Sequence, residues 1–142
     1  MSSRLSVFVA LLLAAAVARA DGPPPGPPDA IASKLYPPEL IMGHQQELGI
    51  DDKQRDAIVK EVQALQNRVV EIQWQMTAAV EELVKILDAS RIDEAKALAQ
   101  ADKVMGFERD VKKAHLGALI RIRNVLTDAQ RAKLAALRAK LP

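Results

Sequence analysis

From Lys53 to Met105 the chain runs for 53 residues without a glycine or a proline. Turns and loops draw on those two residue types, so this stretch asks for long, uninterrupted helix. Its apolar residues agree. Ile58, Val62, Leu65, Val69, Ile72, Met76, Ala79, Leu83 and Ile86 alternate four and three apart, which is a heptad stripe. A helix from Asp52 to Asp88 would be about 55 Å long. The segment "DASRID" interrupts it, and Asp93 is placed to cap a return helix. On that helix the same spacing continues through Ala97, Ala101, Val104, Glu108, Val111, His115, Ala118, Ile122 and Val125. The expected fold is therefore all-α: a long antiparallel helical hairpin with a short helix at each end. Val70, Val80, Val84, Leu98, Leu116 and Leu119 lie off the stripe, and either the terminal helices or a second chain must cover them. A homodimer is expected.

The short helices announce themselves by their boundaries. "DGPPPGPPDA" (21–30) reads as an extended, solvated linker, taken here as running to residue 36. Pro37-Pro38 then open "ELIMGHQQELG", one short helix that Gly49 can close with a left-handed cap. A phrase follows that occurs twice. Ile50-Asp51-Asp52-Lys53-Gln54-Arg55 and Leu126-Thr127-Asp128-Ala129-Gln130-Arg131 each place an Asp or Thr three residues before a Gln. That is the capping box, in which the cap side chain accepts from the third backbone N–H and the Gln reaches back to the cap's own N–H. Both phrases are thus helix starts.

Residues 1–20 read as a secretory leader. Arg4 precedes the apolar run Leu5 to Ala18, and Ala18-Arg19-Ala20 is a small-x-small cleavage signal. Cleavage after Ala20 is expected, giving an exported, periplasmic protein; only an uncleaved leader would tie it to the membrane. Removing Arg4 and Arg19 from the 20 basic residues leaves 18 against 18 acidic ones, so the mature chain is formally neutral. Its charge is nevertheless divided. Residues 109–142 carry nine Lys or Arg and two Asp, a net of +7, and residues 21–108 carry −7. Such asymmetry suits antiparallel self-association or an acidic partner. The chain has no cysteine, which removes thiol chemistry and leaves packing alone to hold the fold. Two histidines and no phosphate loop or catalytic triad leave nothing for an enzyme to work with, and 3% aromatic residues do not make a nucleic-acid stacking surface.

The doubled phrase, in an exported and cysteine-free helical chain, resembles the Leu-Thr-x-x-Gln motifs of the Spy/CpxP family of periplasmic stress proteins, to which ZraP and the CnrX-type heavy-metal sensors are related. The second copy, Leu126, Thr127 and Gln130, fits in full. The first, Ile50, Asp51 and Gln54, replaces Leu and Thr while keeping the capping chemistry. The resemblance implies a hooked hairpin that dimerises into a curved cradle. It also implies one of two activities: ATP-independent binding of unfolded clients or an envelope-stress signalling partner, or binding of a metal ion that is reported to a partner.

Each activity has candidate residues. His44, Glu61 and His115 resemble, in order and spacing, part of the CnrX-type ligand set, with Glu108 as a further donor on the His115 stripe. Two imidazoles and a carboxylate suit zinc, nickel, cobalt or copper. Counted outward from a turn near Ser90, Glu61 and His115 should lie within about a turn of each other. The pattern is incomplete, because Leu40 and Leu119 stand where the sensors carry a second His and a Met. For client binding the candidates are Arg109, Lys112, Lys113, Leu116, Ile120, Arg121 and Arg123, which mix long basic side chains with aliphatic ones on one helix. Trp74, the single tryptophan, is either core or an exposed client contact.

Overall fold

The computed structural model describes residues 27–141, so the leader and the first part of the Pro/Gly-rich segment lie outside the described residues. Six helices follow one another: α1 Pro27–Ala32, α2 Pro38–Gly43, α3 Gln45–Leu48, α4 Asp52–Leu87, α5 Glu94–Val125 and α6 Asp128–Arg138. The long pair α4 and α5 packs along its length as an antiparallel hairpin, as its stripes demand. No helix among the described residues is long and apolar enough to cross a membrane.

The helix boundaries have local causes. The Asp51 carboxylate accepts from Gln54 N at 2.7 Å while Gln54 Oε1 accepts from Asp51 N at 3.2 Å, completing the first capping box. Thr127 and Gln130 build the second at 3.2 and 2.9 Å. Asp93 caps α5 through Lys96 N at 3.1 Å. Gly49 closes α3 at φ +66°, a left-handed conformation that glycine adopts without the usual steric cost.

Two expectations about the N-terminal part need correction. The single helix expected over residues 39–49 is two helices that meet at His44, which ends α2 and starts α3 at φ −120°, ψ +21°. Gly43, a weak helix residue, sits at the break. The extended linker assigned to residues 21–36 also stops early. Pro27 and Pro28 open helix α1, where a missing backbone N–H costs nothing. Leu35 and Tyr36 are buried. Tyr36 donates its hydroxyl to Arg131 O at 3.1 Å, and the Arg138 guanidinium lies 4.8 Å from the ring centre. Arg138 also donates to Ser33 O at 2.8 Å and to Leu35 O, so α6 holds this segment by both packing and hydrogen bonds.

The core is concentrated at the open end of the hairpin, here called the base. Tyr36, Ile41, Leu48, Ile58, Ile122, Leu126 and Leu134 are buried against one another there, with Leu40, Ile50, Val62, Val125 and Leu137 packed around them. Burying each such side chain contributes on the order of 1.5–3 kcal/mol. Beyond the base the hairpin is an arm of two helices with no third layer. Ile72, Ala79 and Ala97 are buried in its seam, but Val70, Val80, Val84, Leu98 and Leu116 stay exposed. The terminal helices cover only the base and do not reach these side chains.

Candidate functional site

The two capping boxes meet in space. Gln54 Nε2 donates to Gln130 Oε1 at 2.8 Å and Gln130 Nε2 donates back to Gln54 Oε1 at 3.0 Å. The remaining amide hydrogens are also used: Gln54 Nε2 donates to Val125 O at 3.0 Å, and Gln130 Nε2 to Leu48 O and Gly49 O, each at 3.3 Å. Each Oε1 therefore accepts from its own helix cap and from the opposite glutamine. Gln130 is 7% exposed, and such a buried amide is tolerated because all its hydrogen-bonding capacity is met. A phrase legible as two separate helix starts is in fact one clasp, joining the starts of α4 and α6 to the ends of α3 and α5. Its apolar members serve the same end: Leu126 is buried and Ile50 packs on the core. The role of Ile50, Asp51, Gln54, Leu126, Thr127 and Gln130 is thus to fix the base.

The residues nominated for a metal are not gathered. His44 Nδ1 donates to the Glu47 carboxylate at 3.3 Å, one short turn along its own segment. Glu61 accepts from Arg121 Nε at 2.7 Å across the hairpin. His115 Nδ1 donates to Val111 O at 3.0 Å, and its ring is exposed. Among the described residues no group of three or more His, Asp or Glu side chains is placed to hold a metal ion. In this arrangement the donor set does not fit a metal centre.

The reason is register and helix rotation. The residue opposite Glu61 is Arg121, six positions beyond His115, or about 9 Å along the helix axis. Rotation accounts for Glu108 and His115. The seam keeps the seven-residue repeat but uses the residue just before Ala101, Glu108 and His115 in each heptad. The α5 seam passes instead through Ala97, Gln100, Val104, Phe107, Val111, Ala114 and Ala118, all buried or half-buried, and leaves Glu108 and His115 in water. Gln100 can enter because its Nε2 donates to Ala79 O at 2.8 Å. The expectation that Glu108 and His115 interrupt the core face is therefore corrected: both lie off it.

The residues nominated for client contact divide. Arg109, Lys112, Lys113 and Leu116 line one open groove of about 410 Å³ on the outer side of α5, together with Met105 and Glu108. Ile120 continues that side one turn on and is exposed, and Arg123 beyond it is half-buried. Arg121 is engaged by Glu61, so a residue proposed for clients and one proposed for metal neutralise each other. Among the described residues Arg109, Lys112, Lys113 and Arg123 take part in no ion pair. Met105, 54% exposed, joins the nominated contact residues, and its spacing to Arg109, Lys112 and Leu116 (four, seven and eleven) marks it as a neighbour on the same helical face. Trp74 is on neither the seam nor this groove. It stands 76% exposed on the outer side of α4.

A capped, cysteine-free helical hairpin whose doubled Gln motif closes its base defines a class of small all-helical proteins. The comparison with known families sharpens this. A family model described as heavy-metal resistance matches residues 5–133, and the chain belongs to that heavy-metal resistance family, which is part of the Spy/CpxP/ZraP-like clan. No curated protein and no solved structure gives a significant match to the chain.

Proposed function

We propose that this protein is a non-enzymatic, exported member of the heavy-metal resistance family that binds polypeptides, either unfolded clients or a signalling partner, on the outer face of α5. The leader-like residues 1–20 support export to the periplasm. The observation that carries the binding reading is the α5 groove, where exposed Met105 and Leu116 stand among Arg109, Lys112 and Lys113, cations that enter no ion pair among the described residues. A monomeric surface that keeps aliphatic side chains in water beside long basic ones can capture a chain by charge and retain it by apolar contact, with no defined pocket. Such binding needs no nucleotide and tolerates many sequences. Its place in metal tolerance would be to protect or sense proteins damaged by the metal.

Suppression of aggregation of a reduced, unfolding client tests this reading. The wild-type protein should slow aggregation at near-stoichiometric ratios. A Lys112→Glu, Lys113→Glu, Leu116→Ser variant should lose most of that effect at unchanged helix content, since all three side chains are exposed. Equal suppression by both proteins would remove α5 from the account. A metal-dependent reading, in which His44, Glu61 and His115 bind zinc, nickel, cobalt or copper, requires a rearrangement that first breaks the Glu61–Arg121 pair.

A further inference from the structure

The chain has no cysteine, so its only sulfur is in four methionines. Three of them lie among the described residues, in different surroundings. Met76 is half-buried on the seam side of α4, Met42 is 60% exposed at the base, and Met105 is 54% exposed on the outer side of α5. A thioether in water is open to two-electron oxidants, and the sulfoxide it yields is polar where the thioether was apolar. The neighbours decide what such a change does. Met42 shares an open hollow with Gly43, His44, Gln45, Gln46 and Glu47, none of them an apolar side chain. Met105 instead shares the α5 groove with Leu116, the other apolar side chain there, and with Arg109, Lys112 and Lys113.

The helix brings a hydrogen-bond donor to this sulfur. Helical side chains lean toward the N-terminus, so Arg109, four residues on, reaches back over the turn that holds Met105. Gly106 leaves it room: Arg109 Nη2 lies 3.7 Å from where a Cβ would stand on Gly106, the residue beside Met105. Among the described residues Arg109 enters no ion pair. A thioether accepts hydrogen bonds only weakly, whereas the oxygen of a sulfoxide is a strong acceptor.

We infer that Met105 is an oxidation site through which a hypohalous acid weakens the α5 groove, an inference that rests on polypeptide binding there. With hypochlorous acid the O–Cl bond breaks and one S=O bond forms. Sulfur gives two electrons to chlorine, and a proton and a chloride ion leave. The product acts twice. It replaces one of the two apolar contacts in the groove with a dipole, and its oxygen accepts from Arg109, drawing that cation away from a bound chain. Enzymatic reduction of the sulfoxide restores the thioether, so the change is reversible. Oxidation at Met42 touches neither contact.

Treatment of the whole protein with limited hypochlorous acid tests this, with peptide mass spectrometry to locate each sulfoxide and the aggregation assay to read binding. Conversion of Met105 should raise the amount of protein needed for half suppression by about fivefold, at unchanged helix content. A methionine sulfoxide reductase should reverse that loss. Met42→Leu should lose suppression on oxidation as the wild type does, whereas Met105→Leu should keep through treatment whatever suppression it starts with. Full suppression by a protein whose Met105 is converted, an equal loss in oxidised Met105→Leu, or a loss that reduction does not reverse would each overturn the inference. So would a Met105 that stays a thioether while Met42 is converted. An untreated protein without any suppression would overturn polypeptide binding itself, and the switch with it.

Discussion

The base and the arm of this hairpin are built from the same helices by different rules. At the base six segments converge, Ile41, Ile122 and Leu134 are at most 1% exposed, and the two glutamines of the repeated phrase satisfy each other and five backbone groups around them. In the arm two helices meet along a single seam, and aliphatic side chains stand in water on both outer sides. A third layer is what separates the two. Where one is present the molecule is stabilised and closed, and where it is absent the surface is left available for a partner. Stability is thus concentrated in one half of the element pair, and the surface proposed for binding lies in the other.

That division is broken most directly by core truncation. Leu134→Ala should cost about 2–5 kcal/mol in urea unfolding, because a fully buried side chain leaves a cavity at the base. Leu98→Ser, in the arm and 59% exposed, should stay within about 0.5 kcal/mol of wild type. Equal costs at the two sites would erase the comparison. The clasp comes next. Gln130→Ala removes the reach-back half of one capping box, leaving the Thr127 cap in place, and leaves Gln54 partly unpaired, a loss of about 2–3 kcal/mol. In a double-mutant cycle Gln54→Ala and Gln130→Ala should be strongly non-additive, since each side chain is the other's partner. Additive effects would reduce the clasp to two independent caps. The smallest effect concerns metal: in calorimetric titrations with zinc, nickel and copper, His44→Ala and His115→Ala should change the heats independently. Loss of one saturable site in both variants would show that the two histidines share a ligand.

The sequence made the architecture plain because the architecture is periodic. The Ile58–Ile86 stripe, the Asp51, Asp93 and Thr127 caps and the Gly49 stop each depend on neighbours within a turn or two, and each stands where the residues place it. What escaped depends on which of two neighbouring residues faces the partner helix. A heptad count alone fits Ala101, Glu108 and His115 as well as Gln100, Phe107 and Ala114, and the packed hairpin uses the second set. The long side chain of Arg121 reaches Glu61 across the hairpin, which counting residues from the turn does not reveal. The Gln54–Gln130 pair was hidden for another reason. Its two halves are 76 residues apart, and only the closed base reveals that two local caps face each other. Tyr36 and Leu35 were hidden by the prolines before them, whose composition reads as linker although the residues beyond are anchored by Arg138.

On the proposed function the base holds the fold and the arm binds the client. Hydrogen–deuterium exchange, measured with and without an unfolded client, tests both halves at once. For the protein alone, amides of residues 54–62 and 118–134 should exchange slowest and those near the turn, residues 84–98, fastest. Added client should then protect residues 105–120 of α5 and leave the base unchanged. Protection gained at the base with none along α5 would contradict the account.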